Sequence, residues 1–90
     1  MNTTMTALEH LKDNIKRLRL GQEMTQERVA TLANLSYKYY QSLEAGRIAN
    51  PTYLSVERLA RLFGVEYWKL FHPSLIPEAK IKKMKPRGKR

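Results

Sequence analysis

Lys38, Gln41 and Ser42 place an ammonium, an amide and a hydroxyl within the stretch YKYYQSLEA, residues 37–45. Groups of this kind are hydrogen-bond donors and acceptors suited to recognition. Successive residues on a helix turn by about 100°, so Lys38, Gln41, Ser42 and Ala45 share one side, with Tyr37 at its leading edge. Tyr40 and Leu43 project within about 60° of each other on the opposite side, and Tyr39 falls near the boundary. An ordinary solvated face would carry Glu and Lys at i, i+4 spacing. This one has short side chains, Ser42 and Ala45, which let a helix lie close against a neighbour. Donors and acceptors on such a face match base edges in a major groove, which admits a helix. A bland exposed face is the alternative.

Little else in the chain offers chemistry. There is no cysteine, so disulfides and thiolate metal sites are excluded. His10 and His72 lie far apart without ligand spacing, and neither a metal nor a cofactor is expected. No Ser/His/Asp or Cys/His set, paired buried carboxylates or glycine-rich phosphate loop can be assembled, so an enzyme is the weakest reading. The charge is informative. Seventeen Lys and Arg against eight Asp and Glu give a net +9 over 90 residues. Residues 72–90 hold seven cations and the single acid Glu78, net +6; residues 1–71 hold ten and seven, net +3. Polyanions are natural partners, nucleic acid ahead of a membrane surface. No apolar run approaches the roughly 20 residues that cross a bilayer. The start, MNTTMTALEHLKDN, has no apolar core of a signal peptide. A cytoplasmic location follows as the expectation, with no membrane partner.

These side chains need helices to position them. The chain reads as an all-α domain of five helices over residues 6–72, followed by a basic extension over 73–90 whose last ten or so residues are expected to be disordered. Thr6 and Glu9 have the form of a capping box. Leu8, Leu11, Ile15 and Leu18 then make one apolar stripe reaching to about Leu20. Thr25 caps a second helix with Val29, Ala30 and Ala33 inward, and Asn34 suits the left-handed exit. Ser36 caps the third helix, which ends near Gly46. Thr52 caps the fourth, with Val56, Leu59, Ala60 and Phe63 inward, and Gly64 stops it. VEYWKLF makes a short fifth helix before Pro73.

The segment Gln26 to Ala45, QERVATLANLSYKYYQSLEA, resembles the helix-turn-helix of the lambda-repressor and Cro family, the xenobiotic-response-element type. Apolar residues are wanted where Val29, Ala33, Leu35, Tyr40 and Leu43 stand, a small one where Ala30 stands and a left-handed one where Asn34 stands. Leu18–Arg19, Thr25–Gln26, Leu43 to Gly46, Asn50–Pro51 and Leu59 to Val65 follow in the family's order. The likeness covers about residues 10–71. There are departures: Asn34 replaces the usual glycine, Tyr40 a smaller aliphatic, and Arg28 a frequent glutamate.

The resemblance implies a compact lambda-repressor-like domain that binds double-stranded DNA, chiefly bacterial or phage in occurrence, as a transcriptional regulator of repressor type. Its third helix would enter the major groove. Tyr37, Lys38, Gln41 and Ser42 would contact bases, Lys38 first through guanine O6 and N7. Tyr37 has thymine stacking or a phosphate as alternatives. Gln26 would grip a phosphate together with backbone N–H groups, joined by Arg28, Arg47 and Asn50. Tyr53, at an apolar family position, is divided between phosphate contact and the favoured core packing, and Tyr39 between edge packing and phosphate contact. Glu44 is expected to pair with Arg19. Trp68, expected partly exposed, marks a candidate homodimer interface with Phe71, Leu75 and Ile76; the last two are alternatively folded over the indole. Lys80, Lys82 and Lys83 would reach phosphates from the tail, for which a solubilising role is the alternative. Rival readings are a protein-binding module of antitoxin or anti-repressor type with autoregulatory DNA binding and, less favoured, RNA binding.

Overall fold

The computed structural model describes residues 6–73, which form α1 (Ala7–Gly21), α2 (Gln26–Ala33), α3 (Tyr37–Glu44), α4 (Tyr53–Phe63) and a 3-10 helix (Tyr67–Phe71). No strand occurs among the described residues. The domain is all-helical as expected, and its fifth helical segment is of the tighter 3-10 kind. A hydroxyl starts every α-helix. The side chains of Thr6, Thr25, Ser36 and Thr52 accept from the N–H of Glu9, Arg28, Tyr39 and Ser55 at 3.0–3.2 Å, satisfying orphan donors of the first turn. Thr6 has the full capping box, since its own N–H donates to Glu9 Oε1 at 2.8 Å.

The ends share one device as well. Glu23, Asn34, Gly46 and Gly64 each take a positive φ of 57–80° just past a helix. The next residue then donates its N–H to a carbonyl five positions back: Met24 to Arg19, Leu35 to Ala30, Arg47 to Ser42 and Val65 to Ala60, at 2.9–3.0 Å. This closure satisfies a carbonyl that the last turn leaves free and turns the chain sharply. Four short helices therefore fold back on each other through tight corners.

Leu11, Ile15 and Leu18 of α1 meet Val29, Ala30 and Ala33 of α2, Tyr40 and Leu43 of α3, Val56, Leu59, Ala60, Leu62 and Phe63 of α4, and Leu70 in a single core. Leu8 departs from its expected place on the inward stripe. It lies 37% exposed in the first turn of α1, lining an open groove with Leu11, Leu43 and Ile48. Asn14 takes a buried place among the apolar residues of α1. Its Nδ2 donates to the carbonyls of Leu70 at 3.0 Å and His72 at 2.8 Å, with Lys69 O at 3.4 Å. One amide thus fastens the 3-10 helix to α1, where a short 3-10 segment leaves carbonyls in need of donors.

Candidate nucleic-acid interface

Helix α3 has only eight residues, too few to be stable alone, so contacts along its inner side must hold it. Tyr40 is 0% exposed and Leu43 3%. On the flank, the half-buried Tyr39 brings its hydroxyl within 3.1 Å of Ser55 Oγ and accepts from the N–H of Thr52 at 3.4 Å. Tyr39 accordingly packs at the edge between α3 and the first turn of α4. From the other direction, Arg58 on α4 donates to the carbonyl of Asn34 at 3.2 Å, at the corner between α2 and α3.

The end of α3 is fixed by charge. Buried Glu44 accepts from four donors. Arg19 Nη2 (2.9 Å) and Gln26 Nε2 (2.7 Å) meet Oε1; Arg19 Nε (2.8 Å) and the Tyr40 hydroxyl (2.6 Å) meet Oε2. A carboxylate has about four lone-pair sites, so this one is saturated. The remaining arm of Arg19 donates to the carbonyl of Met24 at 2.9 Å, adding the α1–α2 corner to the network. Burial pushes the Glu44 carboxyl up, but hydrogen bonds from Arg19, Tyr40 and Gln26 outweigh it and leave the group below its ordinary range. The hydrogen bond to Glu44 raises the Arg19 guanidinium. Burial first, then the bond to Glu44, pushes the Tyr40 phenol far up. At neutral pH the site is one anion, one cation and two neutral donors.

With its inner side committed, α3 turns the other side to solvent. Tyr37 is 46% exposed, Lys38 and Ala45 are exposed, and Gln41 and Ser42 are half-buried. Gln41 Nε2 donates to the Tyr37 hydroxyl oxygen at 3.3 Å. Arg28 is exposed in the first turn of α2, as are Arg47 and Asn50 in the loop after α3. Gln26 also begins α2, but its amide is partly engaged by Glu44.

Tyr53 does not pack in the core, against expectation. It is 64% exposed because the first turn of α4 sends Ser55 and Val56 inward and residues 53 and 54 outward. Its ring leans on Tyr67, with centroids 4.9 Å apart, and its hydroxyl donates to Glu57 at 3.0 Å. Trp68 is 47% exposed. Its Nε1 donates to Glu66 at 2.7 Å, and its ring meets the edge of His72 with centroids 5.4 Å apart. Phe71 is partly buried against the core. Leu75, Ile76, Lys80, Lys82 and Lys83 lie outside the described residues.

Among the contacts that sequence reasoning missed are Tyr40 to Glu44, Gln26 to Glu44, Gln41 to Tyr37 and Asn14 to the 3-10 helix. A signal existed for some of them. Tyr40 and Glu44 are four apart on one helix, and Asn14 interrupts an apolar stripe. No helix among the described residues is long and apolar enough to cross a membrane. Nor is there, among the described residues, any group of three or more His, Cys, Asp or Glu able to hold a metal.

Two short helices joined at a left-handed corner, the second with a polar outer side, define a helix-turn-helix. A family model for this motif, of the lambda-repressor and Cro type, matches residues 15–67. The chain belongs to that family of DNA-binding regulatory domains. No curated protein and no solved structure gives a significant match.

Proposed function

We propose that the chain is a sequence-specific regulator of transcription that lays α3 in the major groove of double-stranded DNA and acts as a repressor. One observation carries the reading: the inner side of α3 is wholly engaged, whereas Tyr37, Lys38, Gln41 and Ser42 are turned outward. Lys38 donates to guanine O6 and N7, and Gln41 and Ser42 read neighbouring base edges. Gln26, Arg28, Arg47 and Asn50 contact phosphates on either side and set the register of the helix. Tyr53 is left out of that set because its hydroxyl is occupied by Glu57. The tail lysines add sequence-independent attraction. Selection from a random duplex library at fixed salt tests this: enrichment of one motif is expected, and absence of any enriched sequence overturns it.

A second reading is favoured by a different surface. Tyr53, Leu54 and Trp68 are 64%, 52% and 47% exposed. Three large apolar side chains on the α4 start and the 3-10 helix suit a contact with a second copy or with a protein partner, as in an antitoxin or anti-repressor. A homodimer through Trp68 and Phe71 would place two copies of α3 on half-sites about one turn apart. Sedimentation at micromolar concentration with and without DNA separates these outcomes: a twofold-symmetric motif with a dimer supports pairing, and a monomer throughout ends it.

A further inference from the structure

A free glutamine is a poor discriminator, because its amide rotates and offers either end to a base. As oxygen and NH2 side by side it matches adenine, as two donors it matches guanine, and as a lone acceptor it matches cytosine. Gln41 is not free in this way. Its Nε2 donates to the hydroxyl oxygen of Tyr37 at 3.3 Å, one turn back on the same outward side of α3. With one N–H held there, the amide keeps one N–H and its oxygen for a partner. The phenol oxygen serves as acceptor in this bond, which leaves the phenol's own proton for water or a phosphate.

We infer that Tyr37 is a positioning residue that fixes the Gln41 amide as an adenine reader, so that the recognised site carries an adenine at the position α3 presents to Gln41. The inference rests on the DNA-reading function proposed above and adds the base and the reason for it. Adenine offers an acceptor at N7 beside a donor at N6, complementary to the N–H and oxygen that remain on Gln41. Guanine offers two acceptors, N7 and O6, and the Gln41 oxygen would face one of them without a proton between. Tyr37, exposed and one of the four base-contacting candidates the resemblance implies, then acts partly through its neighbour.

The test starts from a duplex enriched by the full chain. Each adenine in it is replaced in turn by 7-deazaadenine, which lacks the N7 acceptor, and affinity is measured by fluorescence anisotropy at fixed salt. One replacement should weaken binding about tenfold, the scale of a lost base contact. The Gln41→Ala chain should show no penalty at that position. Tyr37→Phe keeps the ring but removes the acceptor. It lowers affinity overall, and its signature is that the 7-deazaadenine penalty falls below about threefold. Circular dichroism melts of both variants verify that they are folded. A Tyr37→Phe chain that keeps the full penalty overturns the inference, as does a Gln41-dependent position that is guanine or a pyrimidine. In those cases an enriched motif that still requires Lys38 leaves the functional reading standing. Failure to enrich any motif removes that reading itself.

Discussion

Replacing Tyr40 by phenylalanine isolates one bond of the Glu44 network. The ring is 0% exposed and keeps its place in the core, so the substitution removes only the hydroxyl from a packed site. What disappears is an O–H donating to a buried carboxylate at 2.6 Å. A hydrogen bond to a charged group contributes about 1.5–3 kcal/mol, and the bond is short enough to be charge-assisted. A loss of about 2 kcal/mol corresponds to a fall of roughly 8–16 °C in Tm for a domain of this size. Circular dichroism melts at pH 7 read this directly. The same melts as a function of pH give a second check. Because Glu44 lies below its ordinary range in the folded chain, its contribution is full above the unfolded value of about 4.3 and is lost as pH falls through the folded value. Tyr40→Phe removes one of the bonds that lower the group and leaves burial, which raises it. The Glu44 contribution should therefore be smaller in the variant, and its acid loss should be complete at a higher pH than in the parent, while the onset, set by the unfolded value, stays in place. A Tm within about 2 °C of the parent, with an unmoved acid limb, would refute the role given to the hydroxyl.

Asn14→Leu strips the donor from the Leu70 and His72 carbonyls and should cost about 1–3 kcal/mol. The 3-10 helix should loosen first, so that Trp68 emission changes at lower urea than helical circular dichroism; coincident transitions would contradict this. Asn34→Ala forces a β-carbon without Asn's local hydrogen bonding into φ 59° and should destabilise by about 1 kcal/mol. Asn34→Gly should be near neutral in the same urea titration, and equal losses from both substitutions would argue against strain as the cause. Removing residues 80–90 should reduce the slope of log K against log salt while keeping the selected motif. An unchanged slope would show that the tail cations do not meet phosphates.

Much of the fold is visible in the chain because each helix carries its own local signals. Thr6, Thr25, Ser36 and Thr52 mark the starts by short-range hydrogen bonding, and Asn34 and Gly64 mark two ends by their tolerance of positive φ. Glu23 takes the same left-handed geometry without any such preference, so the first corner is set by the packing around it. Helical periodicity separates Tyr40 and Leu43 from Lys38, but it weighs side chains one helix at a time. It therefore places Leu8 on the core stripe, although that side chain faces an open groove and stays 37% exposed. For Tyr53, an apolar family position suggests burial, whereas the ring finds Tyr67 across the surface. The contacts of Gln26 and Asn14 join residues 18 and 55–58 positions apart; the break in the apolar stripe flags Asn14, but no local pattern names the partner of either. In the site, residue types and their outward side were legible. The linkage of Gln41 to Tyr37 was not, since it depends on the rotamers of two side chains.

The most direct measurement compares the selected duplex with a scrambled duplex of equal length and charge, using the parent chain and a Lys38→Ala, Gln41→Ala double variant at one salt concentration. Both side chains leave the core untouched, so equal melting temperatures establish that the variant is folded. The account predicts a large preference for the selected duplex in the parent and a ratio near one in the variant, with affinity for the scrambled duplex little changed. A variant that retains the parent's preference would contradict the assignment of α3 as the reading helix.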